Sequence, residues 1–317
     1  MIPAEAFVSF LDGEYLRGYV DGGGAAVKFV VPDDERCAQI FFDAFAVAAG
    51  AAGYTSVKID AAETRVHLLE QVFFEVARHV EWDQLAAIAT RKAASAAGYP
   101  PPSGGELTLE RLASHHRVDP RELKRDLDRQ LQRQVQQDYA MVAEFRTAML
   151  RLCQAQLRSG QVVDAEHAAV LDWLRGDLRQ MSVLKSALIF RKVGRHNARH
   201  LLFSLAHWLA VNDRAGLAVV LDARRLGFAR RPAPEERHGH YYTKAALLDA
   251  YEALRQLVDN TDEMANCFVA VVASPAFLSD SSRGLDAYQA LKLRIFDEVR
   301  DANRDNPLSS LIRLGVR

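Results

Sequence analysis

The sequence predicts an α/β fold: a parallel sheet core flanked by helices and interrupted by a large helical insertion. Three observations predict it. Continuous apolar runs of strand length occur at residues 217–221 and 267–272, as expected of strands buried on both faces of a parallel sheet, and residues 27–31, apolar but for Lys28, read as a first strand. A fourth run, residues 54–60, alternates in character, and segments of helical spacing separate it from the first strand and residues 267–272 from 217–221. Between about residues 107 and 212 the pattern is helical with no convincing strand, so strand-bearing segments bracket a helical block.

In chain order, residues 2–20 read as a short amphipathic helix, with Phe7, Phe10, Leu11 and Tyr15 at roughly helical spacing until Gly22-Gly23-Gly24 breaks it. The strand 27–31 follows, then a helix over 33–50, the strand 54–60 and a helix over 63–79. Pro and Gly enforce a loop over 98–105. The helical block is punctuated at Asp119-Pro120, Ser159-Gly160, Gly176 and Gly194, and a helix over 242–258 joins the last two strands. This organisation places the first part of the core at residues 1–98, the insertion at 99–190 and the second part of the core at 191–317.

Composition narrows the function. With 40 basic against 41 acidic residues the formal charge is −1, so no global field draws the chain to nucleic acid or to a membrane. Cys37, Cys153 and Cys267 are far apart without ligand spacing, which reads as reduced thiols in a cytoplasmic protein. Neither a signal peptide nor a membrane span is expected.

The most telling motif is a missing one. The strand 27–31 stands where a phosphate-binding loop would follow, yet it runs into Pro32-Asp33-Asp34-Glu35. A phosphate cradle needs glycines that bring backbone N–H groups to the anion, a lysine, and a free helix N-terminus. Here Asp33, Asp34 and Glu35 satisfy the helix dipole and its orphan N–H groups themselves. A like charge about 4 Å from a phosphate costs roughly 4 kcal/mol at an effective dielectric of 20, or about three decades of affinity. ATP is not expected there in the usual way.

Asp222 follows the run 217–221, where a P-loop ATPase places the acid that holds Mg²⁺ through water. The next residue is Ala223, not the glutamate that polarises the attacking water. Asp222 reads equally as a cap on the strand end. Ser274, after the run 267–272, stands where such folds put a polar sensor of the γ-phosphate, or else belongs to an ordinary turn before Pro275. Arg294 is a candidate finger acting on a neighbouring subunit's site, with pairing to Asp297 or Glu298 as the alternative.

Two stretches carry basic residues. Residues 108–125 have the rhythm of a helix-turn-helix, but Glu122, Asp126 and Asp128 interleave with Arg121, Lys124, Arg125 and Arg129, the pattern of a solvated, ion-paired helix. Residues 191–200 contain no acid, so Arg191, Lys192, Arg195 and Arg199 form the best candidate patch for phosphate backbone or an acidic partner. His196 and His200 fall on one face of a continuous helix at a spacing that can hold a metal, but no third ligand suggests itself, and no metal site is expected.

With these residues in view, the chain resembles the BREX-system ATP-binding proteins, the BrxD-like family of P-loop, AAA+-like ATPases. The resemblance is densest in Tyr241-Tyr242-Thr243-Lys244, in residues 249–260 and 284–295, and in Asn306-Pro307-Leu308. Residues 15–20, followed by Gly23-Gly24 and Val27-Lys28-Phe29, are similar to the family's approach to its phosphate loop. The resemblance implies an AAA+-like core, ATP and Mg²⁺ as ligands, a role in antiphage defence and partnership with other defence-system proteins. Because the Gly-Lys-Thr or Gly-Lys-Ser loop is absent over residues 31–36, no phosphate-binding residue carries over, and the implied member is a pseudo-ATPase. It is expected to need no cofactor, to act beside an active ATPase or helicase, and to be able to oligomerise. The alternatives are a DNA-binding adaptor using the 191–200 patch, or an active ATPase with an unconventional nucleotide site.

Overall fold

The computed structural model describes residues 1–102, 107–157, 161–228, 238–296 and 305–316, except the side chains of residues 161 and 162. The chain forms two compact units, one made of residues 1–76 and 214–317, the other of residues 77–213.

The first unit opens with a two-residue strand, β1 (Ile2–Pro3), and helix α1 (Ala4–Phe10), which widens into π-helical turns over Leu11–Val20. The helix read over 2–20 is present as a continuous helical run from Ala4 to Val20 whose hydrogen bonding changes at Leu11. Strand β2 (Ala25–Pro32), helix α2 (Glu35–Ala51), strand β3 (Tyr54–Asp60) and helix α3 (Leu69–Arg78) follow.

The second unit is helical: α4 (Trp82–Ala96), α5 (Leu109–His116), α6 (Pro120–Leu131), α7 (Ala143–Ala155), α8 (Gln161–Arg175) and α9 (Ala198–Val211). It begins earlier and ends later than the 99–190 read from the sequence. Helix α4 packs on α6 and α7, with Thr90 donating to the Cys153 carbonyl at 3.2 Å. Helix α9 is tied in by Ser204, whose Oγ accepts from the Val142 N–H at 3.0 Å, and by His207, 2.7 Å from Asp138. The helix pair read over 108–125 is present as α5 and α6, turned by Arg117 in the left-handed region (φ 55°) and restarted by the Asp119 cap. Leu123, Leu127 and Leu131 of α6 are buried while Glu122–Arg125 and Asp126–Arg129 pair on its outer face.

The chain re-enters the first unit through β4 (Gly216–Asp222), α10 (Lys244–Asp259), β5 (Cys267–Val272), the short α11 (Ala276–Ser279), α12 (Gln289–Ile295) and β6 (Leu311–Gly315). All six strands pair in parallel, in the order β1-β6-β2-β5-β4-β3. Every residue of β2, β4 and β5 is buried, which is why β4 and β5 carry apolar runs, while Lys28 is accommodated in β2 by donating to the Leu308 and Ser309 carbonyls at 2.6 and 2.8 Å. β3 lies at the sheet edge and alternates, with Lys58 exposed there. One face of the sheet is sealed by a file of aromatic rings in which Phe41 stacks on Phe45 at 5.8 Å and Phe45 on Phe268 at 5.5 Å. Gly216 is required where β4 starts: its φ is 144°, and a Cβ would fall 2.0 Å from the Asn266 carbonyl oxygen. Among the described residues, no helix is long and apolar enough to cross a membrane.

Candidate functional site

Register brings the sequence-predicted acids to one edge of the sheet. Val30, Asp222 and Val272 are neighbours across β2, β5 and β4, so the residues that follow β2, the end of β4 and the turn after β5 all open at the carboxyl ends of the strands. In open α/β sheets, ligands bind at that edge, where crossovers leave in opposite directions. Here β2 feeds α2 toward β3, beyond β5 and β4 on one side, while β5 connects to β6 on the other.

Asp33, Asp34 and Glu35 are exposed there and do different things. Asp33 precedes the helix, its N–H donating to the Leu314 carbonyl at 3.0 Å. Asp34 is the N-cap of α2, its carboxylate accepting from the Cys37 N–H at 2.7 Å. Burial, and secondarily the Asp33 charge, push the Cys37 thiol up to about 11, so it stays protonated. Only Glu35 lies within the first turn of α2, and its carboxylate is turned toward β4.

The centre of the arrangement is Arg224, which sequence reasoning missed. Its Nε donates to Asp222 Oδ1 at 2.8 Å and its Nη2 to Oδ2 at 2.6 Å, a two-pronged grip on a carboxylate that is almost fully buried. Its third nitrogen, Nη1, donates to Glu35 Oε2 at 2.5 Å. The guanidinium lies 5.3 Å from the Phe42 ring, which Lys58 also faces at 3.8 Å. Chiefly through its hydrogen bonds to Asp222, the arginine is held above its already high ordinary pKa. The available signal was three consecutive acids at the start of a helix, and an arginine two residues beyond a buried aspartate.

Ser274 follows β5, half-buried, with its Oγ packed so closely on Gly227 that a Cβ there would fall 2.7 Å away. It borders a cavity of about 10 Å³ lined largely by apolar side chains such as Leu226, Leu254 and Phe277. That volume admits no more than a single water.

A family model described as "BREX system ATP-binding protein BrxC/D" matches residues 107–316, about two thirds of the chain. The chain belongs to this family. Neither a curated protein nor a solved structure was found to match it. The stretch matching the BREX model includes β4 with Asp222 and Arg224, β5 and β6, whereas β2 and Asp33 to Glu35 precede it.

Within the matched stretch, Arg294 is held in an ion-pair chain. Its Nε donates to Asp259, which also pairs with Arg255, and its Nη1 donates to the Ala290 carbonyl at 2.7 Å. Asp297 and Glu298, the partners considered from sequence, lie outside the described residues. Arg255 grips Glu252 at 2.7 and 2.6 Å, and Tyr288 donates to the same carboxylate at 2.6 Å. Arg255 first, then Tyr288 and Gln256, hold Glu252 down at about 2, and Arg294 holds Asp259 below its ordinary value. Depressed carboxylate values stabilise the fold above the unfolded-state value and lose that contribution as pH falls through the folded one. Stability is therefore expected to drop as the pH falls from about 5 to about 2, and Glu252→Gln is expected to flatten that part of the profile in urea titrations. An unchanged slope in the variant would remove Glu252 from the explanation.

The 191–200 patch lies in the helical unit. Arg191, Lys192 and Arg195 are exposed, Arg199 is half-buried on α9, and Arg191 pairs with Glu144 at 3.2 Å. Because α9 starts at Ala198 and Asn197 ties the preceding turn to Gly194 and Lys192, His196 precedes the helix and does not share a helical face with His200. Among the described residues no group of three His, Cys, Asp or Glu is placed to hold a metal.

Proposed function

We propose that this BREX family member is a pseudo-ATPase, a subunit that keeps an AAA+-like core as a scaffold or regulator for an active ATPase or helicase of the defence assembly. The sheet order supports the AAA+-like reading, since β5 is interposed between the strand leading to Asp33 and the strand ending in Asp222. The observation that carries the proposal is Arg224 bridging Asp222 and Glu35. A guanidinium already neutralises the acid that would hold Mg²⁺, so a metal would have to displace a fixed, two-pronged internal cation. The helix terminus that would receive a phosphate is capped by Asp34, with Asp33 and Glu35 beside it. The residues present do not fit ATP·Mg²⁺.

A retained core without turnover still offers a rigid face, which needs only shape and complementarity to engage a partner. Isothermal titration of the purified chain with ATP and Mg²⁺ is expected to give no binding isotherm at micromolar nucleotide. Micromolar affinity, lost in a variant of Asp222, would overturn the reading in favour of an active but unconventional site.

A further inference from the structure

Arg146, near the start of α7, has two guanidinium nitrogens, Nε and Nη1, that are buried without a hydrogen-bond partner. Its guanidinium lies 4.7 Å from the ring of Tyr139, a tyrosine that is 80% exposed. The surrounding protein shields these two nitrogens from any external ligand, so the arginine serves here as a fixed cation that holds the Tyr139 ring in place. The neighbourhood is basic. Glu144, two residues before Arg146, is the acid paired with Arg191, so the acid-free 191–200 segment meets the start of α7 at its first residue. Asp138, which precedes Tyr139, is engaged by His207.

We propose that Tyr139, held by Arg146, forms with Arg191, Lys192 and Arg195 a binding surface for single-stranded nucleic acid. These last three cations take phosphates and the exposed ring offers a stacking face for a base. The ring is what favours a nucleic acid over an acidic protein, because an aromatic face beside a row of cations matches the base-and-phosphate alternation of a single strand. Exposed carboxylates of a protein partner would have no use for it. The surface lies wholly within the helical unit and does not depend on the pseudo-ATPase reading.

The test is fluorescence anisotropy of the full chain with a labelled oligothymidylate of about 20 nucleotides, a duplex of the same length and a polyglutamate peptide of similar charge. Binding to the single strand is expected at low salt, falling between about 50 and about 200 mM with a log–log slope near −0.7 per phosphate neutralised. Tyr139→Ala is expected to weaken it roughly tenfold, and Tyr139→Phe to restore it. The pair Lys192→Glu and Arg195→Glu is expected to weaken it further and flatten the salt slope. Tyr139 is exposed, so its loss leaves the core intact, and circular dichroism verifies the folding of every variant. No binding at about 50 mM salt, equal binding by Tyr139→Ala, or tighter capture of polyglutamate than of the oligonucleotide would each overturn the proposal, the last by reassigning the surface to an acidic protein.

Discussion

Arg224→Ala is expected to destabilise the sheet-bearing unit by about 3 kcal/mol, making it one of the two most damaging substitutions at the candidate site. Asp222 is 5% exposed and gives both carboxylate oxygens to this one guanidinium. Removing the arginine side chain leaves a buried charge whose one remaining hydrogen bond among the described residues is from the backbone N–H of residue 224, at 3.3 Å. The cost of breaking such a pair is mostly that of the stranded partner, and it exceeds what forming the pair contributes. Asp222→Asn with Arg224→Ala together should therefore cost less than the sum of the two single changes, the signature of a coupled pair. Arg224→Lys should fall between, because an ammonium cannot reproduce the two-pronged grip. Trp82, Trp173 and Trp208 all lie in the helical unit, so their fluorescence does not report this one. The measurements are urea midpoints by circular dichroism and amide exchange over β4 and β5. A loss under about 1 kcal/mol would show that the pair behaves as a solvated surface contact, and the self-neutralised site would lose its energetic basis.

Arg283→Ala is the second, with an expected loss of about 3 kcal/mol. This arginine is 6% exposed, and its donors meet carbonyls: Leu226 at 3.1 Å and Tyr242 at 2.8 Å from Nη2, and Leu226 again at 3.3 Å from Nε. Its own carbonyl accepts from the buried Tyr251 hydroxyl at 2.6 Å. Truncation would leave two carbonyls unsatisfied and open a void among the turns that follow β4 and precede α10. The Leu226 turn begins at Arg224, so Arg283 also positions the residue that neutralises Asp222. Combined with Arg224→Ala, the change is expected to be less than additive, since each loosens the same turn. Full additivity in urea titrations would separate the two and show that Arg283 supports the turn without holding Arg224 in place.

How much of this was legible depends on how local the cause is. β3 and β5 were readable to the residue because a two-fold alternation or an unbroken apolar run is a local record of which faces are buried. β6 escaped: only five residues long, it is interrupted by exposed Arg313 and follows Asn306-Pro307, which reads as a turn. β1 has two residues and no periodicity at all. The insertion was recognisable, but its limits were not, because α4 and α9 are assigned by what they pack against rather than by composition. At the site, Asp34 as a cap is written in three consecutive residues, whereas Arg224 touching Glu35 spans 189 positions.

The sequence by itself determined that the first strand leads to acids instead of a phosphate cradle, that the core is a parallel sheet interrupted by helices, and that the chain resembles the BREX ATP-binding proteins. These are properties of contiguous residues, set by periodicity, charge and the presence or absence of glycine and lysine at fixed offsets. Only the tertiary structure decided the strand order, the true limits of the helical unit, and the internal cation that grips Asp222 and Glu35. The physical reason is that such pairings are selected by the register of segments distant along the chain, and no local pattern of side chains encodes a neighbour that the fold alone brings within hydrogen-bonding reach.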